Sequence, residues 1–271
     1  MKTHFLRETS VRLILCLLLL PTISAAGAES GLSSAKEIIM KSIQAHGGAG
    51  ALQQWNDLYA EGRTISYYGT TEMRGTSSIT IHDGRMMRRD GKVSFRGSTF
   101  TFSEASTGKT AWQSRRGRVY DFPPDNSNHF LSHLPTILLR AASADPSALT
   151  LVGDAERDGV DVQLIDFEEG TSSTRLALSA ANHLLHSLEF KAKENSGMGT
   201  LEEKLNDLRF EEYGTVSDLA FPHKWTALKD GVKRSVFTVE AVRFEEVADL
   251  EIFAKPEADL ESMDWRDQLA R

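Results

Sequence analysis

Four Asp-Gly pairs constrain this chain more than any other feature: Asp83-Gly84, Asp90-Gly91, Asp158-Gly159 and Asp230-Gly231. A two-residue type I′ hairpin turn needs positive φ at both central residues, which Asp tolerates and Gly prefers. Extended segments flank the pairs. Ile79-Thr80-Ile81 leads into the first, Val160-Asp161-Val162 leads out of the third, and Trp225 to Lys229 and Val232 to Val239 bracket the fourth. Turns this short join antiparallel neighbours, because a parallel pair needs a crossover of a dozen residues or more. The spacing predicts an antiparallel meander.

The segments between the turns alternate. Phe100 and Phe102 share one face against Thr99, Thr101 and Ser103. Leu184, Leu188 and Phe190 oppose Ser187, Glu189, Lys191 and Lys193, and Leu176 and Leu178 oppose Arg175, Ala177 and Ser179. Phe237, Val239 and Ala241 alternate less cleanly. Such a pattern keeps one sheet face wet and one dry. Helical signals are few. Ser34 and Glu37 form a capping box, Ala35, Ile39 and Ile43 recur at helical spacing, Gly47-Gly48 stops that helix, and Ala49 to Trp55 adds a short second one. His129 to Ala142 reads as a helical insert that Pro135 bends or restarts. The fold expected is α+β and mainly β: a single curved antiparallel sheet, an incomplete β-barrel, covered by an N-terminal helix and a short mid-chain helical insert.

The first 28 residues read as a removable signal peptide. Lys2, Arg7 and Arg12 precede the apolar run Leu13 to Leu20, and Ala26-Gly27-Ala28 gives a small-x-small cleavage site. The run is short of the roughly 20 residues that a membrane span needs. Cys16, the one cysteine, follows Leu15 inside that run, which is the wrong context for lipidation. Export to the periplasm therefore leaves a chain with no disulfide and no thiol. The formal charge of −7 opposes binding to a phosphate backbone, so nucleic acid is not an expected partner. No linker, repeat or low-complexity tract divides the remainder. Residues 29–256 are read as one domain and 257–271 as a tail of unassigned role.

No local motif brings catalytic chemistry. Gly108-Lys109-Thr110 lacks the first glycine of a phosphate loop, since Ser103 stands there. His129 and His133 have a helical metal spacing but not the glutamate of a metalloprotease helix, and His183 and His186 fall on opposite faces of a strand. There is no Gly-x-Ser-x-Gly, and Glu168-Glu169 and Glu211-Glu212 read as solvated strand ends. No catalytic residue, metal site or cofactor is assigned. The strand aromatics carry more information. Phe95, Phe100, Phe102, Trp112, Tyr120, Trp225, Phe237 and Phe244 either fill a core or line a concave apolar site on a sheet that short helices cover.

Phe221-Pro222-His223-Lys224-Trp225, Asp230-Gly231, Val236 to Val242 and Leu250-Glu251-Ile252-Phe253-Ala254-Lys255-Pro256 together resemble the ending of bacterial outer-membrane lipoprotein-sorting (LolA/LolB-like) proteins. Ala35 to Trp55, with His46-Gly47-Gly48 ahead of a strand carrying Gly62, resembles their beginning, and Gly108 to Trp112 a mid-chain strand. The resemblance covers residues 33–256 and implies a periplasmic incomplete barrel closed by helices around a hydrophobic cavity for acyl chains. Arg63 is the candidate for the carriers' functional arginine. On this reading the protein is a periplasmic carrier or receptor for a lipid or lipidated protein, working with membrane-bound donor and acceptor proteins. The cavity wall is expected to comprise Phe100, Phe102, Trp112, Trp225 and Phe237, and the lid Phe130, Leu134 and Leu138. Two other readings stay open: a non-catalytic envelope interaction or sensing domain with a filled core, and a histidine-dependent hydrolase.

Overall fold

A computed structural model describes residues 26–115, 118–121, 134–195, 201–245 and 249–256. Most of the expected signal peptide, together with His129, Phe130, His133 and the tail from 257 onward, lies outside the described residues. The strands are β1 Leu58–Tyr68, β2 Thr71–His82, β3 Met86–Phe95, β4 Ser98–Ser106, β5 Ala111–Arg115, β6 Arg118–Asp121, β7 Leu149–Arg157, β8 Val160–Glu169, β9 Ser172–Ser179, β10 Leu185–Asn195, β11 Leu201–Val216, β12 Leu219–Lys229 and β13 Val232–Phe244. They form one antiparallel sheet in the order β6-β5-β4-β3-β2-β1-β13-β12-β11-β10-β9-β8-β7. Two meanders, β1 to β6 and β7 to β13, are thus joined along the single seam where β1 pairs with β13. The sheet does not close, so β6 and β7 are its edges.

Three of the four Asp-Gly pairs make the expected turns. Asp83-Gly84, Asp158-Gly159 and Asp230-Gly231 all have positive φ, between 49° and 78°. Asp90-Gly91 does not: it runs extended through the middle of β3. Asp90 is held there by a bidentate Arg88 guanidinium at 2.7 and 2.8 Å and by the Ser103 hydroxyl at 2.7 Å. The hairpin after β3 turns instead at Arg96-Gly97, with φ of 49° and 80°. A bulge between Leu185 and Ser187 shifts the register of β10. It turns Leu185, not Leu184, to the apolar face beside Leu188.

Among the described residues three helices pack on the dry face: α1 Ala26–Ala45, α2 Ala49–Gln53 and α3 Ile137–Ser143. In the full chain α1 begins upstream of Ser34, which lies inside the helix and is not its N-cap. Gly47 and Gly48, at φ of 99° and 92°, end it as expected. Gly47 also has no room for a side chain, since a Cβ there would sit 2.1 Å from the Asp218 carbonyl oxygen. α1 buries Ala35, Ile38, Ile39 and Ile43, and α3 buries Ile137, Leu138 and Ala141. Pro135 lies just before α3, where the Leu134 and Pro135 carbonyls accept from Ile137 and Leu138 and its missing N–H costs nothing. A single 3₁₀ turn, Gln54–Asn56, drives Trp55 into the centre. There it stacks on Phe221 at 4.9 Å and meets Trp225 at 5.7 Å, while Trp225 meets Phe237 at 5.5 Å.

The end of α1 also sets a pH dependence. His46 is fully buried, and its Nδ1 donates to the Ser42 carbonyl at 2.7 Å. Nε2 is buried with no partner, so a second proton would sit on an atom that nothing accepts from. Burial therefore lowers the pKa of this imidazole, against the smaller opposing effect of the Ser42 carbonyl. Because the folded pKa is depressed, the unfolded chain binds the extra proton first. Stability is complete above the ordinary imidazole range near 6.5 and is lost as pH falls below it, with a slope of at most about 1.4 kcal/mol per pH unit. Burial lowers the pKa of His186 in the same direction. Urea midpoints measured from pH 7.5 to 5.5 are expected to fall, and to fall less steeply in His46→Gln. Parallel slopes for the two proteins would remove His46 as a cause.

Candidate ligand trough

Strand pairing places the predicted wall residues by parity, since alternate side chains face opposite ways. Phe100 pairs with Val93, Val93 with Gly75, Gly75 with Thr64, Thr64 with Phe237, Phe237 with Trp225, and Trp225 with Phe210. These seven residues form one row across seven strands, all on the face that packs on the helices. The next row is Phe102, Gly91, Ser77, Gly62 and Val239. Four of the five predicted wall residues therefore share one face, Phe100 and Phe102 on one side and Trp225 and Phe237 on the other.

Between them the floor has little side-chain bulk: Gly62, Thr64, Gly75, Ser77 and Gly91. At three of these positions the packing enforces glycine. A Cβ on Gly75 would lie 1.8 Å from the Lys92 carbonyl oxygen, and one on Gly62 would lie 2.0 Å from that of Thr238. A Cβ on Gly91 would meet the Phe102 ring at 2.0 Å, so the outer end of that ring covers the glycine. Isolated glycines inside strands mark this kind of close approach, and that signal was present in the sequence.

The two sides differ. Phe100 and Phe102 are half-buried, as are Phe95 and Met73 beside them. Trp225 and Phe237 are almost wholly buried, and the Trp225 indole donates to the Pro222 carbonyl at 2.8 Å. Leu134 and Leu138, expected in a lid, are packed into the same core, while Phe130 lies outside the described residues. One row from the floor stand Arg89, Glu104 and Gln113, cross-strand neighbours on the same face. Arg89 pairs with Glu104 at 3.4 Å and lies 5.3 Å over the Phe102 ring.

Trp112 is not on this face. It pairs with Ala105, which pairs with Arg88, and this row lies on the outer side of the sheet. A 3₁₀ turn at Leu250–Phe253 straps across it. The Trp112 indole donates to the Phe253 carbonyl at 3.0 Å, Arg88 donates to the Ile252 carbonyl, and Phe253 is buried against His82. Alternation alone cannot say which face is the inner one, and Trp112 suits either. Arg63 is also outside, in an exposed ion pair with Glu240 at 2.6 Å.

Two depressions lie along the sheet. One, of about 540 Å³, is bordered by Tyr59, Glu61, Thr76, Asp90, Lys92 and Ser103 of the outer face, and Gly62, Ser77, Gly91 and Phe102 also reach it. The other, of about 640 Å³, is bordered by Asp158, His186, Arg209, Glu211, Lys224 and Thr226. Among the described residues no group of three or more His, Cys, Asp or Glu side chains is placed to hold a metal, and no helix is long and apolar enough to cross a membrane.

No family model matches the sequence, and no curated protein does. Solved structures do. A DUF1329 family protein from Desulfovibrio piger aligns over 82% of this chain and 97% of its own, at 12% identity and a TM-score of 0.50. A domain from Vibrio parahaemolyticus named for outer-membrane lipoprotein sorting aligns over 84% and 97%, at 16% identity and a TM-score of 0.48. A LolA superfamily protein from Nitrosomonas europaea aligns over 82% and 97%, at 13% identity and a TM-score of 0.48. At these identities the likeness is one of fold, and it is the Desulfovibrio protein that carries it: an open antiparallel sheet wrapped on helices.

Proposed function

We propose that this protein is an exported, periplasmic carrier or receptor that holds the hydrophobic part of a lipid or lipidated protein on the inner face of its sheet. Residues 29–256 form the carrier domain, and no covalent step is involved. The observation that supports this most is the floor of Gly62, Thr64, Gly75, Ser77 and Gly91 beside the half-buried rings of Phe100 and Phe102. A trough with small residues beneath and aromatic rings alongside suits an acyl chain, which gains affinity from apolar area removed from water. Trp225 and Phe237 would close its far side, and Leu134 and Leu138 would have to shift for the trough to widen.

Native mass spectrometry of protein purified from the periplasm, followed by organic extraction, tests this. A co-purifying lipid or acylated peptide is expected. Phe100→Ser with Phe102→Ser should weaken a fluorescent acyl probe by about tenfold or more, since each buried ring contributes on the order of 1.5–3 kcal/mol. Far-UV circular dichroism must show both proteins folded. One observation favours the second reading, an envelope interaction domain with a filled core: Trp225, Phe237, Leu134 and Leu138 are already packed. Clean apo protein that ignores acyl probes would select that reading.

A further inference from the structure

Arg89 and Gln113 hold polar atoms that the fold leaves without a partner. Arg89 Nε and Gln113 Oε1 are both buried, and neither has a hydrogen-bond partner. Buried polar atoms are paired in the great majority of cases, so two orphans on either side of Glu104 in one row call for an explanation. Both belong to one row of the inner face, Arg89 on β3, Glu104 on β4 and Gln113 on β5. Phe102, the side wall of the trough, is two residues from Glu104 and lies beneath the Arg89 guanidinium at 5.3 Å. The orphans therefore stand one row from the floor proposed to hold an acyl chain, where the polar end of an amphiphile would arrive.

The charge of this row sets what that end can be. Arg89 faces Glu104 at 3.4 Å, with side chains only 24% and 13% exposed. The carboxylate offsets the guanidinium, so the row is polar but neutral overall. A free fatty acid or a phosphate headgroup would bring a second anion against Glu104 in a poorly solvated place, where like charges repel strongly. An uncharged ester or amide carbonyl meets no such repulsion. It can accept from Arg89 Nε–H, while the Gln113 amide, which can be turned to present either its oxygen or its nitrogen, takes a neighbouring hydroxyl or carbonyl.

We propose that Arg89, Glu104 and Gln113 form a headgroup subsite that selects amphiphiles with a neutral acyl ester or amide head over those with an anionic head. Glu104 is the residue that enforces the choice. The inference rests on the trough being a hydrophobic-ligand site, and the experiment separates the two. Affinities are measured by isothermal titration at pH 7.5 for two probes with the same chain, a monoacylglycerol and the corresponding fatty acid. The wild type is expected to prefer the monoacylglycerol by about tenfold or more. Glu104→Gln keeps the shape, frees the Arg89 charge, and is expected to reverse the preference by strengthening the fatty acid. Gln113→Leu should weaken the monoacylglycerol by several-fold and leave the fatty acid nearly unchanged. Because these residues also brace the sheet, urea midpoints are taken for each variant and Arg89→Lys is included as a second charge-keeping change. Equal binding of the two probes, with no change of preference in Glu104→Gln, overturns the headgroup subsite and leaves the carrier reading standing. Binding of neither probe overturns both.

Discussion

Gly75→Ala is expected to destabilise the fold by about 4 kcal/mol or more, an exceptional cost for a single methyl group. The added carbon would lie 1.8 Å from the Lys92 carbonyl oxygen and 2.8 Å from the Val93 Cα. Both obstacles are backbone of the adjacent strand, tied into the ladder by the pairing of Gly75 with Val93. Relief would require β2 and β3 to separate. Gly91→Ala provides the control, because there the obstacle is the Phe102 ring at 2.0 Å. A ring can swing away, so an overpacking cost of about 1–3 kcal/mol is expected. Combining Gly91→Ala with Phe102→Ala should cost less than the sum of the single changes, since the clash is removed with the ring. Urea denaturation of the wild type and the four variants, Phe102→Ala alone included, measures this. A Gly75→Ala midpoint near wild type would show that the β2–β3 contact is looser than its geometry.

Trp55→Ala should cost about 4 kcal/mol, within the range for emptying an aromatic site in a core. Trp55 has no exposed surface, and no side chain hydrogen-bonds its indole nitrogen, which is buried without a partner. Its contribution is therefore packing: it stacks on Phe221 and touches Trp225, so its removal opens the centre of the aromatic cluster. Trp55→Phe keeps most of the volume and leaves no orphan N–H, so less than about 1.5 kcal/mol is expected there. Near-UV circular dichroism and urea midpoints distinguish the two. Equal losses for Ala and Phe would mean that the indole itself makes a specific contact that the packing does not reveal.

Much of this architecture can be read in the residues because hairpins and alternation are local. Asp83-Gly84, Asp158-Gly159 and Asp230-Gly231 need nothing beyond their own backbone preferences to turn the chain. Asp90-Gly91 has the same preferences, but Arg88, Ser103 and the Phe102 ring, supplied partly by the next strand, override them. The turn at Ser217-Asp218 takes positive φ at two residues, neither of them glycine, which local chemistry does not announce. The same division runs through the site. Phe100, Phe102, Trp225 and Phe237 fall on one face because parity carries across regular ladders. Trp112 obeys parity too, yet its face is decided by Phe253, 141 positions away. The orphaned Arg89 and Gln113 atoms depend on what fails to approach them, and no pattern of residue types encodes that.

The seam between β1 and β13 has a consequence for how the molecule is made. Leu58 pairs with Phe244 and Ser66 with Ser235, so the first strand of the sheet is completed by the last. As the chain becomes free to fold from its N-terminal end, β1 to β6 can zip together through neighbouring hairpins, but one whole flank of β1 stays bare until about 170 further residues have followed. Pairings of such long range form slowly, and a waiting strand flank invites adhesion between chains. The lifetime of the half-made molecule, more than the stability of the finished one, then sets how much a cell can produce. Substitutions that leave the native state untouched but delay β13 are expected to appear as aggregation.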